Sequence, residues 1–231
     1  MKKQAGTLYC IGVGPGDPEL MTLKAQRLLT QCPVVASPVT GGEKTMALDI
    51  VKGAVSLAEK DILLLDFPMV SDAEILRQSH RRQAEAIARH LDAGQDVAFI
   101  TIGDVSVYAT LPYVSALLAD EGYEVVMIPG VTSFCACACA LGRSLTEMQQ
   151  PLHIFPGSFT DVKDALSLDG TKVFMKSGRQ IGSVKKTLLE ENVKAAAVVD
   201  CGLATQAVYP SLAALPEDAG YFTTVITEAK S

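Results

Sequence analysis

The hexapeptide Gly103-Asp104-Val105-Ser106-Val107-Tyr108 holds the residue types best suited to chemistry at a turn. The apolar run Asp96 to Ile102 (DVAFITI) precedes it and reads as a buried strand. Ala109 to Leu118 follows with helical spacing. Gly103 and Asp104 therefore belong to a turn at the carboxyl end of a strand, the position where open α/β sheets bind ligands. A glycine lets backbone approach a ligand closely. The aspartate beside it can accept hydrogen bonds from hydroxyl or amino groups, and it suits equally well a turn residue that caps the next helix. Other chemistries lack their residues. His80, His90 and His153 form no triad pattern, and the six cysteines show neither a CxxC pair nor metal-ligand spacing. No metal site is expected.

A second turn of this kind opens the chain. Thr7 to Val13 (TLYCIGV) reads as a strand that runs into Gly12-Val13-Gly14-Pro15-Gly16-Asp17-Pro18, with a helix over Leu20 to Leu29. Glycines between strand and helix suit a phosphate cradle. The spacing here is GxGxG rather than GxGxxG, and prolines remove backbone donors. The next strand, Val34 to Ala36, ends in Ala-Ser-Pro without the acidic residue a dinucleotide ribose wants. A dinucleotide-dependent oxidoreductase is disfavoured on those grounds, and no Gly-Lys-Ser/Thr completes a P-loop.

The elements that must position these turns follow in order. A helix is expected over Met46 to Leu57 and a strand over Ile62 to Phe67. A long helix capped by Ser71 or Asp72 then runs to Ala93, with Leu76, Ala84, Ile87, Ala88 and Leu91 as its apolar stripe. After the central turn come a strand over Glu124 to Ile128 and a helix entered through Pro129-Gly130-Val131-Thr132-Ser133, with Thr132 or Ser133 as N-cap. Cys135, Cys137 and Cys139 alternate along that helix, so the three cannot share one face, and they read as small apolar residues in a close helix contact. Five short apolar strands alternating with helices indicate a mostly parallel sheet covered on both faces. The pattern breaks between Arg143 and Pro151. The division expected is an N-terminal α/β domain over 1–143, a linker over 144–150 and a smaller mixed α/β domain over 151–231. Its strands are expected over Leu152–Phe155, Lys172–Met175, Ala195–Asp200 and Tyr221–Thr227, and its helices over Asp161–Leu166 and Ile181–Glu190. The final strand follows a loop rather than a helix and is expected to add antiparallel.

Bulk composition narrows the partners. The chain has 231 residues, 48% hydrophobic and only 6% aromatic, with no Trp, so its core is aliphatic. The formal net charge is −6, and no Lys/Arg stripe marks a nucleic-acid partner. No apolar run reaches the ~18 residues of a membrane span, and the N-terminus lacks the apolar stretch of a signal peptide. Reduced cysteines and a cytoplasmic location are expected.

Taken together, GVGPGDPELMTLKA, GDVSVY, PGVTSF, VFMK and CGLATQ resemble the tetrapyrrole (uroporphyrinogen/corrin) methylases over nearly the whole chain. LDFPM (Leu65 to Met69) and YFTTVI resemble the branch that methylates carbon 20 of precorrin-2 or cobalt-factor II in cobalamin synthesis. The resemblance implies a homodimer of two-domain chains that take S-adenosylmethionine as methyl donor, release S-adenosylhomocysteine and hold the donor in the cleft between the domains. Matched by motif, donor binding falls to Pro15, Ile102, Gly103, Asp104, Val107, Thr132, Ser133, Met175, Lys176 and Gly202. Asp104 and Tyr108 are the nearest candidates for the released proton. The family has Gly-Asp-Pro at the centre, and Val105 stands here for the proline, which implies a looser turn with binding retained. The octacarboxylate substrate and a net negative protein require a local basic patch, for which Arg77, Arg81, Arg82, Lys176 and Arg179 are candidates. Alternatives within the resemblance are a sister methylase acting at another ring position or on a modified histidine, and a ligand-binding homologue without turnover.

Overall fold

The computed structural model describes residues 5–39, 45–68, 70 and 72–228; at Arg179 it describes the backbone alone. Met69 and Ser71, both named above, lie outside the described residues. The chain divides into two compact units, Met1–Thr132 and Ser133–Ser231.

The first unit carries a five-stranded parallel sheet in the order β3-β2-β4-β1-β5. Its strands are β1 (Leu8–Gly12), β2 (Val34–Val39), β3 (Asp61–Asp66), β4 (Val97–Thr101) and β5 (Val125–Ile128). Its helices are α1 (Leu23–Gln31), α2 (Met46–Lys52), α3 (Ala73–Asp92) and α4 (Leu111–Asp120). Alternation along the strands builds a core on each face. Ile11, Val35, Ala98 and Ile100 pack with Ala25 and Leu29 of α1 and Leu48 and Val51 of α2. Leu8, Cys10, Val34, Ala36, Val97 and Phe99 pack with Ile87 and Leu91 of α3 and Val114 and Leu118 of α4. Each of the Val, Leu, Ile and Phe side chains taken out of water contributes roughly 1.5–3 kcal/mol. The neighbours β1 and β4 are followed by helices on opposite faces, the switch in winding that marks ligand sites in open sheets.

Local chemistry sets the boundaries. The first helix is expected to start at Leu20. Instead Pro18–Leu20 forms a short 3₁₀ turn capped by Asp17, and Thr22 then caps α1 by accepting from the Ala25 N–H at 3.2 Å. Asp72 caps α3 by accepting from the Glu74 and Ile75 N–H groups. Helix α2 ends at Lys52, before the expected Leu57, because Gly53 is its C-cap.

The second unit holds α5 (Ser133–Ala140), β6 (Leu152–Pro156), α6 (Val162–Leu166), β7 (Thr171–Met175), α7 (Ile181–Glu190), β8 (Ala195–Val199), β9 (Ala207–Tyr209) and β10 (Thr223–Thr227). Its mixed sheet has the order β6-β7-β10-β8-β9, with β10 antiparallel to both β7 and β8. The final strand is thus antiparallel, as the loop without a helix before it predicts. Strand β9 is not among the elements expected from sequence. The division between units falls at Thr132/Ser133 rather than after Arg143, because α5 packs on β8 and β10 and so belongs with the second sheet. Packing also separates the cysteines of α5: Cys137 is buried, whereas Cys135 and Cys139 are exposed on the opposite face and do not fill a close helix contact.

Candidate functional site

In the first unit three turns meet where β1, β4 and β5 end. Gly14 and Gly103 form an isolated antiparallel bridge: the Gly14 N–H donates to the Gly103 carbonyl at 3.2 Å, and the Gly103 N–H donates to the Gly14 carbonyl at 2.7 Å. Both have positive φ, +83° and +73°, which glycine adopts without cost. Gly12 and Gly130 close the junction. A Cβ at Gly12 would lie 2.5 Å from the Gly103 carbonyl oxygen, and one at Gly130 would overlap the same oxygen. Gly12 and Gly14 of the opening loop thus serve backbone-to-backbone packing between turns.

Asp104 ties this junction together. It is 8% exposed. Its Oδ1 accepts from the Ser106 N–H at 2.8 Å and from the Ser106 hydroxyl, and its Oδ2 accepts from the Gly130 N–H at 2.8 Å. Burial pushes the carboxyl up, but the bonds from Ser106, Gly130 and the Val105 N–H outweigh it and hold the group below the ordinary carboxylate value. Val105 is 3% exposed and packs with Phe99, Leu111 and Val114. The anchoring a proline ring would provide through φ is provided by that burial. Ile102 and Val107 are half-buried beside the turn. Tyr108 is 40% exposed at φ +48°, and burial of part of its ring raises its phenol above the usual value. Pro15 follows Gly14 and is buried. Helix α5 begins at Ser133, the residue after Thr132.

In the second unit Met175, Lys176 and Gly202 lie at one end of the sheet, because β7 and β8 both run antiparallel to β10 and so end together. Lys176 has φ +53°, and burial lowers its ammonium below the usual value. The Ser158 hydroxyl donates to the Lys176 carbonyl at 2.7 Å and lies 2.9 Å from that of Ser177. Gly202, at φ +81°, donates its N–H to Gln206 Oε1 at 2.7 Å. The Ser177 hydroxyl, on a residue 1% exposed, has no hydrogen-bond partner among the described residues. Sequence reading missed it, as it missed the bracing roles of Ser106 and Gly130; only the Asp-x-Ser spacing hints at the first of these. Arg77, Arg81 and Arg82 are exposed on α3, and Arg77 pairs with Glu74. The backbone of Arg179 lies in the short 3₁₀ turn Gly178–Gln180, and its side chain lies outside the described residues.

Among the described residues no three His, Cys, Asp or Glu side chains gather as a metal site would require, and no helix is long and apolar enough to cross a membrane.

Comparison with known proteins shows which proteins this chain is similar to. The chain is 36% identical over 178 residues to the probable cobalt-precorrin-2 C(20)-methyltransferase of Methanocaldococcus jannaschii, covering 77% of this chain and 75% of that one. It is 30% identical over 235 residues to the precorrin-2 C(20)-methyltransferase of a Sinorhizobium species, covering 96% and 94%. The fold matches the uroporphyrin-III C-methyl transferase of Thermus thermophilus complexed with S-adenyl homocysteine, with a TM-score of 0.69 at 22% identity over 96% of this chain and 92% of that one. The sequence profile of the tetrapyrrole (corrin/porphyrin) methylases matches residues 7–216, a span that contains every strand-end turn described above, so this chain belongs to that family.

Proposed function

We propose that the protein is an S-adenosylmethionine-dependent methyltransferase that adds a methyl group to carbon 20 of precorrin-2 or its cobalt form in corrin synthesis. The observation that carries this reading is the match, over most of both chains, to two relatives named for C(20) methylation. A soluble cytoplasmic homodimer acting on this tetrapyrrole alone, without nucleic acid or membrane, is the form we assign to it.

The donor's residues are proposed as Pro15, Ile102, Gly103, Asp104, Val107 and Thr132 in the first unit and Ser133, Met175, Lys176 and Gly202 in the second. Two features suit such a group. The Ser177 hydroxyl is buried next to Lys176 without a partner among the described residues, so an added polar group would satisfy it. Thr132 and Ser133 set hydroxyls at the amino end of α5, where helix N–H groups favour a carboxylate.

The bound sulfonium supplies an already activated methyl group, so the protein's task is approach and orientation. The electron pair comes from carbon 20 of the macrocycle. With such a donor held there, the new carbon–carbon bond would form as the carbon–sulfur bond breaks, and the proton on carbon 20 would pass to solvent water. Asp104 already accepts from Ser106 and Gly130, and its lowered pKa makes it a poor proton acceptor. We assign it a positioning role at the turn. Tyr108 keeps its proton at neutral pH, since its phenol is raised, and so serves as a hydrogen-bond donor beside the reaction.

An anaerobic assay with methyl-labelled S-adenosylmethionine, offering precorrin-2 and cobalt-factor II side by side, tests the reading by NMR of the product. Label on carbon 20 of either substrate supports it and identifies which form is used. Label at another ring position, or donor binding with no transfer to either, overturns it.

A further inference from the structure

Four rings run outward from the core of the first unit. Phe99, fully buried on β4, stacks with Phe67 at a centroid distance of 6.5 Å and 14°. Phe67 meets His80 of α3 at 6.0 Å. His80 lies face to face with Tyr113 of α4 at 5.2 Å and 3°. The column ends there: Tyr113 is 63% exposed.

Helix lengths make this end a shelf. Helix α3 has 20 residues and α4 has 10, so at 1.5 Å per residue they span roughly 30 and 15 Å. The two follow parallel strands and run side by side. Their carboxyl ends are level, since the Tyr123 hydroxyl just beyond α4 donates to Asp92 Oδ1 at 2.8 Å. The first turns of α3 therefore project past Tyr113. Asp92 faces α4, and counting towards the amino end from it by three or four residues gives Ala88, Ala84, Arg81 and Arg77 on the same stripe. The alanines permit close helix packing, and the two arginines bring guanidinium groups to the margin of the overhang. Glu74 pairs with Arg77; Arg81 makes no ion pair within 4 Å among the described residues.

We infer that Tyr113 and the overhanging turns of α3 form the surface against which the flat face of the tetrapyrrole rests, with Arg77 and Arg81 taking carboxylates at its edge. This rests on the methyltransferase reading above and names the group that orients the substrate. A macrocycle with an apolar face and a carboxylate rim matches a ring backed by a stacked histidine with arginines beside it. An exposed tyrosine held by stacking also loses little conformational freedom when it is covered.

The test measures KM and kcat for the methylated tetrapyrrole, together with equilibrium binding of uroporphyrin III, a flat octacarboxylate, read by its absorbance shift. Y113L is expected to raise KM and weaken uroporphyrin binding about three- to tenfold. Its kcat and its affinity for S-adenosylhomocysteine should stay near wild type. Y113F retains the ring and should behave as wild type, and R81A should weaken uroporphyrin binding more at low than at high salt. Unchanged KM and uroporphyrin binding in Y113L, or no uroporphyrin binding by the wild-type protein, overturns the shelf. Wild-type protein that binds uroporphyrin in a Tyr113-dependent way but methylates neither tetrapyrrole overturns the reading of function and upholds the shelf.

Discussion

Asp104 Oδ2 accepts the Gly130 N–H at 2.8 Å, and this bond joins the turn after β4 to the turn after β5. The same carboxylate holds Ser106 through its other oxygen. An ionised side chain with this many donors stabilises the fold only while it is charged. Its pKa is depressed in the folded chain, so its contribution is present above the ordinary carboxylate value and is lost as pH falls through the lowered one. In D104N the amide can face Ser106 or Gly130 correctly, but not both. A loss of roughly 1–3 kcal/mol is expected at pH 7. Urea denaturation from pH 7 downward should show the difference from wild type shrinking below about pH 4. A difference that stays constant across that range counts against Asp104 as the brace.

Gly130 tests the junction from the other side. A Cβ there would overlap the Gly103 carbonyl oxygen, which is backbone and cannot rotate away. G130A is expected to lower stability by about 1–3 kcal/mol, as overpacking does, and to weaken S-adenosylhomocysteine binding in calorimetry. Gly122 is the control: a Cβ there would meet nothing within 4 Å, although its φ of +90° still disfavours alanine. G122A should cost about 1 kcal/mol through backbone strain alone and leave binding unchanged.

Ser177 separates a structural from a binding role. Its hydroxyl is buried without a partner among the described residues, so removing it relieves a desolvation cost. S177A is expected to match or exceed wild-type stability by up to about 1 kcal/mol in the ligand-free protein. S-adenosylhomocysteine affinity should fall about fivefold if the hydroxyl meets the donor. Reduced ligand-free stability would show that the hydroxyl has a protein partner.

The cysteines divide by exposure. Cys135 and Cys139 lie on the open face of α5, while Cys10, Cys32, Cys137 and Cys201 are buried. Burial pushes the Cys10 thiol up to about 11 and the Cys32 thiol up to about 12, which leaves almost no thiolate near neutrality. Mass spectrometry after brief iodoacetamide treatment of native protein should find Cys135 and Cys139 modified well before Cys10 and Cys32. Equal labelling would contradict the packing of α5 and β1.

The candidate site was legible in the sequence in proportion to how local its determinants are. That Gly103-Asp104 stands at a strand end follows from two periodic segments and the turn between them. What Asp104 does there was not legible: its partner Gly130 is 26 positions away, and only the parallel pairing of β1 with both β4 and β5 brings their turns together. The glycines of the opening loop suggested a ligand cradle by composition. Much of their requirement is the close passage of one backbone against another, a property of two segments rather than one.

By itself the sequence determined the kinds of element and most of their extents, because apolar periodicity, caps and breakers act within a few residues. Helix α7 occupies Ile181–Glu190 as its spacing predicts, and β10 is antiparallel, as the loop without a helix before it predicts. The sequence also determined the family, through motifs spread along the chain. Tertiary structure alone decided that α5 packs with the second sheet, that β9 pairs with β8, and that His80 and Tyr113 stack. Each depends on surfaces brought together from distant segments, where the gain from burial and pairing outweighs the weak preferences of the local chain.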